Sequence, residues 1–355
     1  MINILPSDSR LRYMGRIDRT NADAPVFYWC GSLVQLRFSG DRLSVRIENH
    51  SYDAGNGNGL TLGYLLDYGK PQILTLTPEN DVTQTVTIHA DGWGGHRVKI
   101  WKRQDGPHYF TLHGFSVADG CEIAPLDLPL RKLEAFGDSV TAGSWVELTE
   151  RVGNVDYPDY TAKYDNAWYS YAMQTARLLN AQIHLTAQGG IALLDGTGYY
   201  ENGAVGMETA YTKLSYQPAS GRLTGWDFSQ YIPDTVIFAI GQNDHHVGDK
   251  DNLIPDAQKR ALWLETYCRI IRDLMDKYPY AHFILTLTVL MHDEYWEALL
   301  DDACDLLDST RVHRFRFTRS GKATPGHPRI PEQCEMACEL AEYIMGLQAS
   351  ESMRQ

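Results

Sequence analysis

From residue 10 to about residue 123, apolar and polar positions alternate with period two. Val34, Leu36 and Phe38 share one face of the run 33–38, the turn Ser39-Gly40-Asp41 follows, and 43–47 alternates again. Similar runs occupy 60–66, 72–76, 85–88, 97–101 and 110–117. Between them lie the turn sequences Gly55-Asn56-Gly57-Asn58-Gly59, Tyr68-Gly69-Lys70-Pro71, Asp91-Gly92 and Asp105-Gly106-Pro107. Seven or eight short strands without helical spacing predict a β-sandwich of the jelly-roll kind over residues 1–127. In the segment 124–129, Pro125 and Pro129 discourage both helix and ladder, which marks a hinge.

Beyond the hinge the period changes. Strands are predicted at 133–136, 183–186, 235–240, 282–287 and 312–317, and the third of these is apolar enough for burial on both faces. Helical spacing fills 167–179, with Asp165 or Asn166 as N-cap, and also 257–277, 295–307 and 331–345, the last with Pro331 near its first position. Five strands alternating with helices imply an α/β domain over residues 128–355, with a doubly wound parallel sheet whose sites lie at the strands' carboxyl ends.

A chain of 355 residues is long enough for these two domains. With 32 Lys and Arg against 45 Asp and Glu, its net charge of −13 opposes phosphate backbones and anionic bilayers. The densest basic cluster, Arg311, Arg314, Arg316 and Arg319, is short and interrupted by apolar residues, so no nucleic-acid partner is expected. The longest apolar stretch, 283–291, is far below the roughly 20 residues of a membrane helix, and no membrane partner is expected either. The first ten residues carry no basic and apolar leader pattern, and six scattered cysteines do not form a disulfide framework, so the expected compartment is cytoplasmic. Cys334 and Cys338, four apart on the last helix, read as small core residues.

Two stretches directly follow predicted strands, and a third lies on the loop between the last strand and the last helix. In Phe136-Gly137-Asp138-Ser139, a serine at a strand-to-helix turn can aim its hydroxyl and its own N–H at one point, as attack on an ester requires; the same pair also serves simply to cap a helix. In Gly241-Gln242-Asn243-Asp244, an asparagine amide can donate to an oxyanion, and the same residues favour turns. In Gly326-His327-Pro328, a histidine is available as general base, with His245 and His246 as rivals for that role.

Taken in order, Gly-Asp-Ser at 137–139, Gly189-Gly190, Gly-x-Asn-Asp at 241–244 and Gly-His-Pro at 326–328 resemble the blocks of the SGNH (GDSL) hydrolases over residues 131–345. With a β-sandwich in front, the chain is similar to carbohydrate esterase family 2, and Phe27-Tyr28-Trp29-Cys30-Gly31-Ser32 and His113-Gly114-Phe115 are in keeping with that likeness. The resemblance implies Ser139 as nucleophile and His327 as general base. It implies an oxyanion hole of the Ser139 N–H, the Asn243 amide and the Gly189 N–H, with Gly190 as the alternative register. No metal or organic cofactor is implied.

The usual carboxylate three residues before the histidine is absent, because that position is Thr324 and no acidic residue lies between Phe317 and Glu332. Either a carboxylate comes from elsewhere or the enzyme uses a Ser–His dyad with a backbone carbonyl on the imidazole. The resemblance to family 2 favours the dyad. The implied substrate is an acetylated manno- or xylo-oligosaccharide, with Trp145 and His245 as candidate sugar contacts. The alternative activity is a general SGNH esterase or thioesterase acting on a lipid or small acyl group.

Overall fold

A computed structural model describes residues 1–51, 61–77, 79–105, 108–217 and 223–352 of the chain. The glycine-rich turn 55–59 and the Gly106-Pro107 pair lie outside these residues.

Two six-stranded antiparallel sheets form the N-terminal domain. Arg42–Ser51 and His108–Val117 are the central strands of one, and Leu33–Ser39 and Gly95–Lys102 are central in the other. Their inner faces meet in one core, where Val34, Leu36 and Phe38 are buried as their alternation predicts. The opposite face of Leu33–Ser39 is buried only at its start, where Gln35 is covered and Leu33 joins Met14, Cys30 and Trp101 in the core of the second domain, while Arg37 is exposed. Sandwich pairing persists to Ile123–Ala124, which bonds Leu33–Ser39, so the connection to the next sheet spans only residues 125–130.

The second domain is built on a five-stranded parallel sheet. Its spatial order is Ala181–Ala187, Arg131–Gly137, Thr235–Ala239, His282–Leu285 and Val312–Arg314. The first strand in sequence is second in space, so the winding reverses beside it, and ligands of doubly wound sheets enter at such a switch point. Thr235–Ala239 is buried throughout, as its apolar run predicts. Helices Ala257–Lys277, Glu294–Leu307 and Ile330–Ser352 fall where helical spacing places them.

Two expectations are corrected. The helix predicted over 167–179 is broken: Asn166 caps a short 3-10 turn, Ala167–Tyr169, and Ser170 then takes an extended conformation and caps Tyr171–Leu178 through its hydroxyl. A second capping residue inside the apolar pattern restarts the helix without disturbing the spacing. Cys334 and Cys338 share a helix face, but that face is exposed, while Met336, Ala337, Leu340 and Ala341 carry the packing.

Candidate active site

Three neighbouring strand ends assemble the expected groups. Gly137, the last residue of its strand, pairs with Ala187 on one side and Ala239 on the other. Ser139 lies two residues past Gly137, Gly189 two past Ala187, and Asn243 four past Ala239, so register alone brings the three to one mouth. Asp138 caps the short helix Ser139–Ala142 by accepting from the Val140 N–H at 3.0 Å. This leaves Ser139 at the first helical position, where its own N–H has no intrahelical acceptor. Burial pushes the Asp138 carboxyl up to about 6.

The Ser139 hydroxyl lies 2.8 Å from His327 Nε2, and His327 Nδ1 lies 2.6 Å from Asp156 Oδ2. A carboxylate at Nδ1 selects the tautomer that carries its proton there, which leaves Nε2 free to accept from Ser139. The expected carbonyl-held dyad is thereby corrected: a carboxylate fills the position, and it comes from 171 residues earlier in the chain. Asp156 also accepts the His327 backbone N–H at 3.1 Å and a 2.6 Å bond from Arg329, which is fully buried. Burial raises the Asp156 carboxyl, but the bonds from His327 and the charge of Arg329 outweigh it and hold the group down at about 2. Thr324 lies elsewhere, buried and pairing through its backbone with Leu290 and Met291.

Asp156 reaches His327 on the long loop that leaves Ser139–Ala142. Three bonds zip its base: Asn166 N–H to Gly143 O, Glu147 N–H to Tyr164 O, and Trp145 N–H to Asp165 Oδ1. The Ile330 N–H bonds Val146 O, which ties the histidine-bearing segment to the same base. Gly326 is the sequence signal for this meeting. A Cβ there would sit 2.6 Å from Asn154 O and 2.7 Å from Asp156 N, so only glycine admits the loop.

Asn243 stands on the 3-10 turn Gln242–His245 and spends one amide hydrogen on Ile191 O at 2.9 Å, leaving a second to donate. Asp244, not expected from sequence, accepts the N–H groups of Leu193 and Leu194 and thus fastens the loop that carries Gly189. The Gly189 N–H, rather than that of Gly190, faces a carboxylate, that of Asp105 from the N-terminal domain. The Gly190 carbonyl is turned to the N–H groups of Tyr199 and Tyr200.

Of the two candidate sugar contacts, Trp145 is corrected, and His245 stands half-buried at the mouth. Trp145 is 4% exposed and packed among Tyr157, Tyr160 and Tyr164, so no open ring face remains. His245 has both ring nitrogens engaged, Nδ1 with Gln242 O and Nε2 with the Tyr199 hydroxyl, and therefore braces Tyr199.

Comparison with known proteins gives a consistent picture. Residues 13–126 match the family model described as carbohydrate esterase 2 N-terminal. The chain is 30% identical over 351 residues to an acetylxylan esterase / glucomannan deacetylase of Cellvibrio japonicus, covering 96% of this chain and 90% of that one. Among solved structures it resembles a family two carbohydrate esterase from Cellvibrio japonicus, with a TM-score of 0.79, 28% identity and coverage of 97% and 96%. A family two carbohydrate esterase from Clostridium thermocellum, solved in complex with cellohexaose, gives 0.77 at 25% identity, covering 96% and 99%.

Proposed function

The chain belongs to carbohydrate esterase family 2, and on that footing we propose that it removes acetyl groups from hemicellulose-derived manno- or xylo-oligosaccharides through an acyl-enzyme on Ser139. It is a carboxylic-ester hydrolase, and the substrate class follows its relatives. The observation that carries the mechanism is the unbroken hydrogen-bonded chain Ser139–His327–Asp156 at the switch point of the sheet.

Each step follows from that geometry. His327 Nε2 takes the Ser139 proton as Oγ attacks the acetyl carbonyl. The developing imidazolium is stabilised by Asp156, whose low pKa keeps it charged throughout. The tetrahedral oxyanion receives the Ser139 N–H, the Gly189 N–H and the second amide hydrogen of Asn243. His327 returns the proton to the departing sugar oxygen, and water then enters by the same route to release acetate.

The deciding experiment measures acetate release from acetylated manno- and xylo-oligosaccharides by the wild type and Ser139→Ala, with butyryl and longer aryl esters alongside. Release that is abolished in Ser139→Ala, with slow cleavage of the longer esters, is the expected result. Brisk cleavage of long acyl esters with no release from either sugar would replace this reading by a general esterase. Silence on every ester would overturn both.

A further inference from the structure

The esterase reading requires the Gly189 N–H as an oxyanion donor, yet that donor is bonded to a carboxylate oxygen of Asp105. A carboxylate oxygen matches the tetrahedral oxyanion in element and in charge. We infer that Asp105 gates the oxyanion hole: it holds the Gly189 N–H in the resting enzyme, and an ester carbonyl engages that donor only by displacing the carboxylate onto a second anchor, Gln188. This inference rests on the proposed esterase function.

The second anchor is built for the purpose. Gln188 Nε2 donates to Asp105 Oδ2 at 3.2 Å, and the buried amide is oriented from its other end by the Tyr216 hydroxyl at 2.6 Å. Tyr216 is itself stacked on Trp29 of the N-terminal domain, with ring centroids 3.7 Å apart. Gly189 leaves room for the carboxylate, since a Cβ there would lie 2.6 Å from Asp105 Oδ2. The backbone of Asp105 has little freedom to withdraw. Just before it, the Ala167 N–H donates to Arg103 O and Gln104 Nε2 donates to Ala162 O at 3.2 Å. Release is therefore a side-chain movement from two donors to one.

The charges around Asp105 define how the gate responds to pH. Burial raises the Asp105 pKa, and the Gly189 N–H bond, Lys102 three residues earlier and His327 across the mouth, which all favour the carboxylate, do not outweigh it. From the loop that carries Asp156, Asp165 and Tyr160 also face it, and the Asp105 charge helps push Asp165 up to about 7. Cys30, buried against Ala187 O, is protonated and adds no charge. A charged Asp105 beside the oxyanion opposes the transition state, and a neutral one does not.

The test compares the intact wild type with Asp105→Asn, which keeps the shape and loses the charge. At about pH 8, kcat/KM on a small acetyl ester is expected to rise about tenfold, a fraction of the roughly 10²–10³ that a whole oxyanion donor contributes. The mutant-to-wild-type ratio is expected to fall towards one as pH is lowered and the wild-type Asp105 carboxyl takes up its proton. A ratio at or below one at every pH, in a folded variant, overturns the gate. If the variant does not fold, the wild type carries the test by NMR with labelled glycine and aspartate. The Gly189 amide proton should titrate with the Asp105 carboxyl carbon, and an amide insensitive to that carboxyl overturns the gate. A wild type inactive on every ester would instead bring down the esterase reading.

Discussion

Asp156 is the residue on which the chemistry turns, because it decides how the imidazole is held. A backbone carbonyl and a carboxylate both fix the tautomer, but only the carboxylate adds a charge that stabilises the imidazolium. Asp156→Asn is expected to lower kcat by on the order of 10³–10⁴ while leaving KM near its wild-type value, since the group acts on the transition state. Thr324→Val is expected to retain activity, because its side chain does not reach His327. Steady-state kinetics of the two variants check this, and full activity in Asp156→Asn would restore the dyad. The same residue carries a stability term with a defined sign. Its pKa is depressed to about 2, so its contribution is present above the ordinary carboxylate range near 4 and is lost as pH falls towards 2.

At the scale of the element, the loop between Ser139–Ala142 and the turn Ala167–Tyr169 behaves as one unit. Its base is closed partly by Asp165, which accepts from the Trp145 N–H at 2.7 Å and from the Tyr160 hydroxyl. Trp145 has φ of +57°, a left-handed backbone that a bulky residue adopts only when its surroundings impose it. The Asp165 carboxylate supplies that constraint at a cost. Burial and the nearby Asp105 raise its pKa to about 7, so the folded state binds a proton that the unfolded chain releases near 4. The resulting stability is full below about pH 4 and is lost as pH rises through about 7. Thermal unfolding should therefore show Tm declining from about pH 5 to 8, with a shallower decline in Asp165→Asn. Identical slopes in the two proteins would exclude Asp165 as the source.

For the whole molecule, the two domains share one interior. Arg16 of the sandwich and Glu134 of the parallel sheet form an ion pair at 2.9 Å in which both side chains are fully buried. Glu134 also accepts from the Tyr278 hydroxyl at 2.6 Å, and Arg16 donates to the carbonyls of Tyr211 and Lys213. Trp101 stacks on Trp168 at 4.3 Å and donates to Asn166 Oδ1, so the sandwich bears directly on the foot of the Asp156 loop. Removing one member of a buried pair leaves the other charge uncompensated. Glu134→Ala is accordingly expected to destabilise the protein by about 3–5 kcal/mol, read from denaturant unfolding followed by tryptophan fluorescence. A loss below about 1 kcal/mol, the range of exposed pairs, would show that the pair does not fasten the domains.

The side-chain pattern alone divides the chain into a sandwich and a parallel α/β domain, and the resemblance of its short blocks to the SGNH hydrolases singled out Ser139, His327, Asn243 and Gly189, with Gly190 as the other register. The division rests on side-chain periods that repeat every few residues, whereas the site residues were marked by short blocks. Ser139, Gly189 and Asn243 lie two to four residues past strand ends, and His327 lies on the loop before the last helix. The tertiary structure alone decided the partner of His327, the occupant of the Gly189 N–H and the burial of Trp145. Each of these is a contact between segments far apart in the chain, brought together by loop closure and domain packing, and such a contact leaves no period to read. Thr324 shows the difference. Its identity correctly announced that the usual carboxylate was missing, while the replacement depended on where the loop bearing Asp156 comes to rest. Gly326 held the one local trace of that loop, as a position with no room for a Cβ, and its meaning appeared only once the neighbouring backbone was in place.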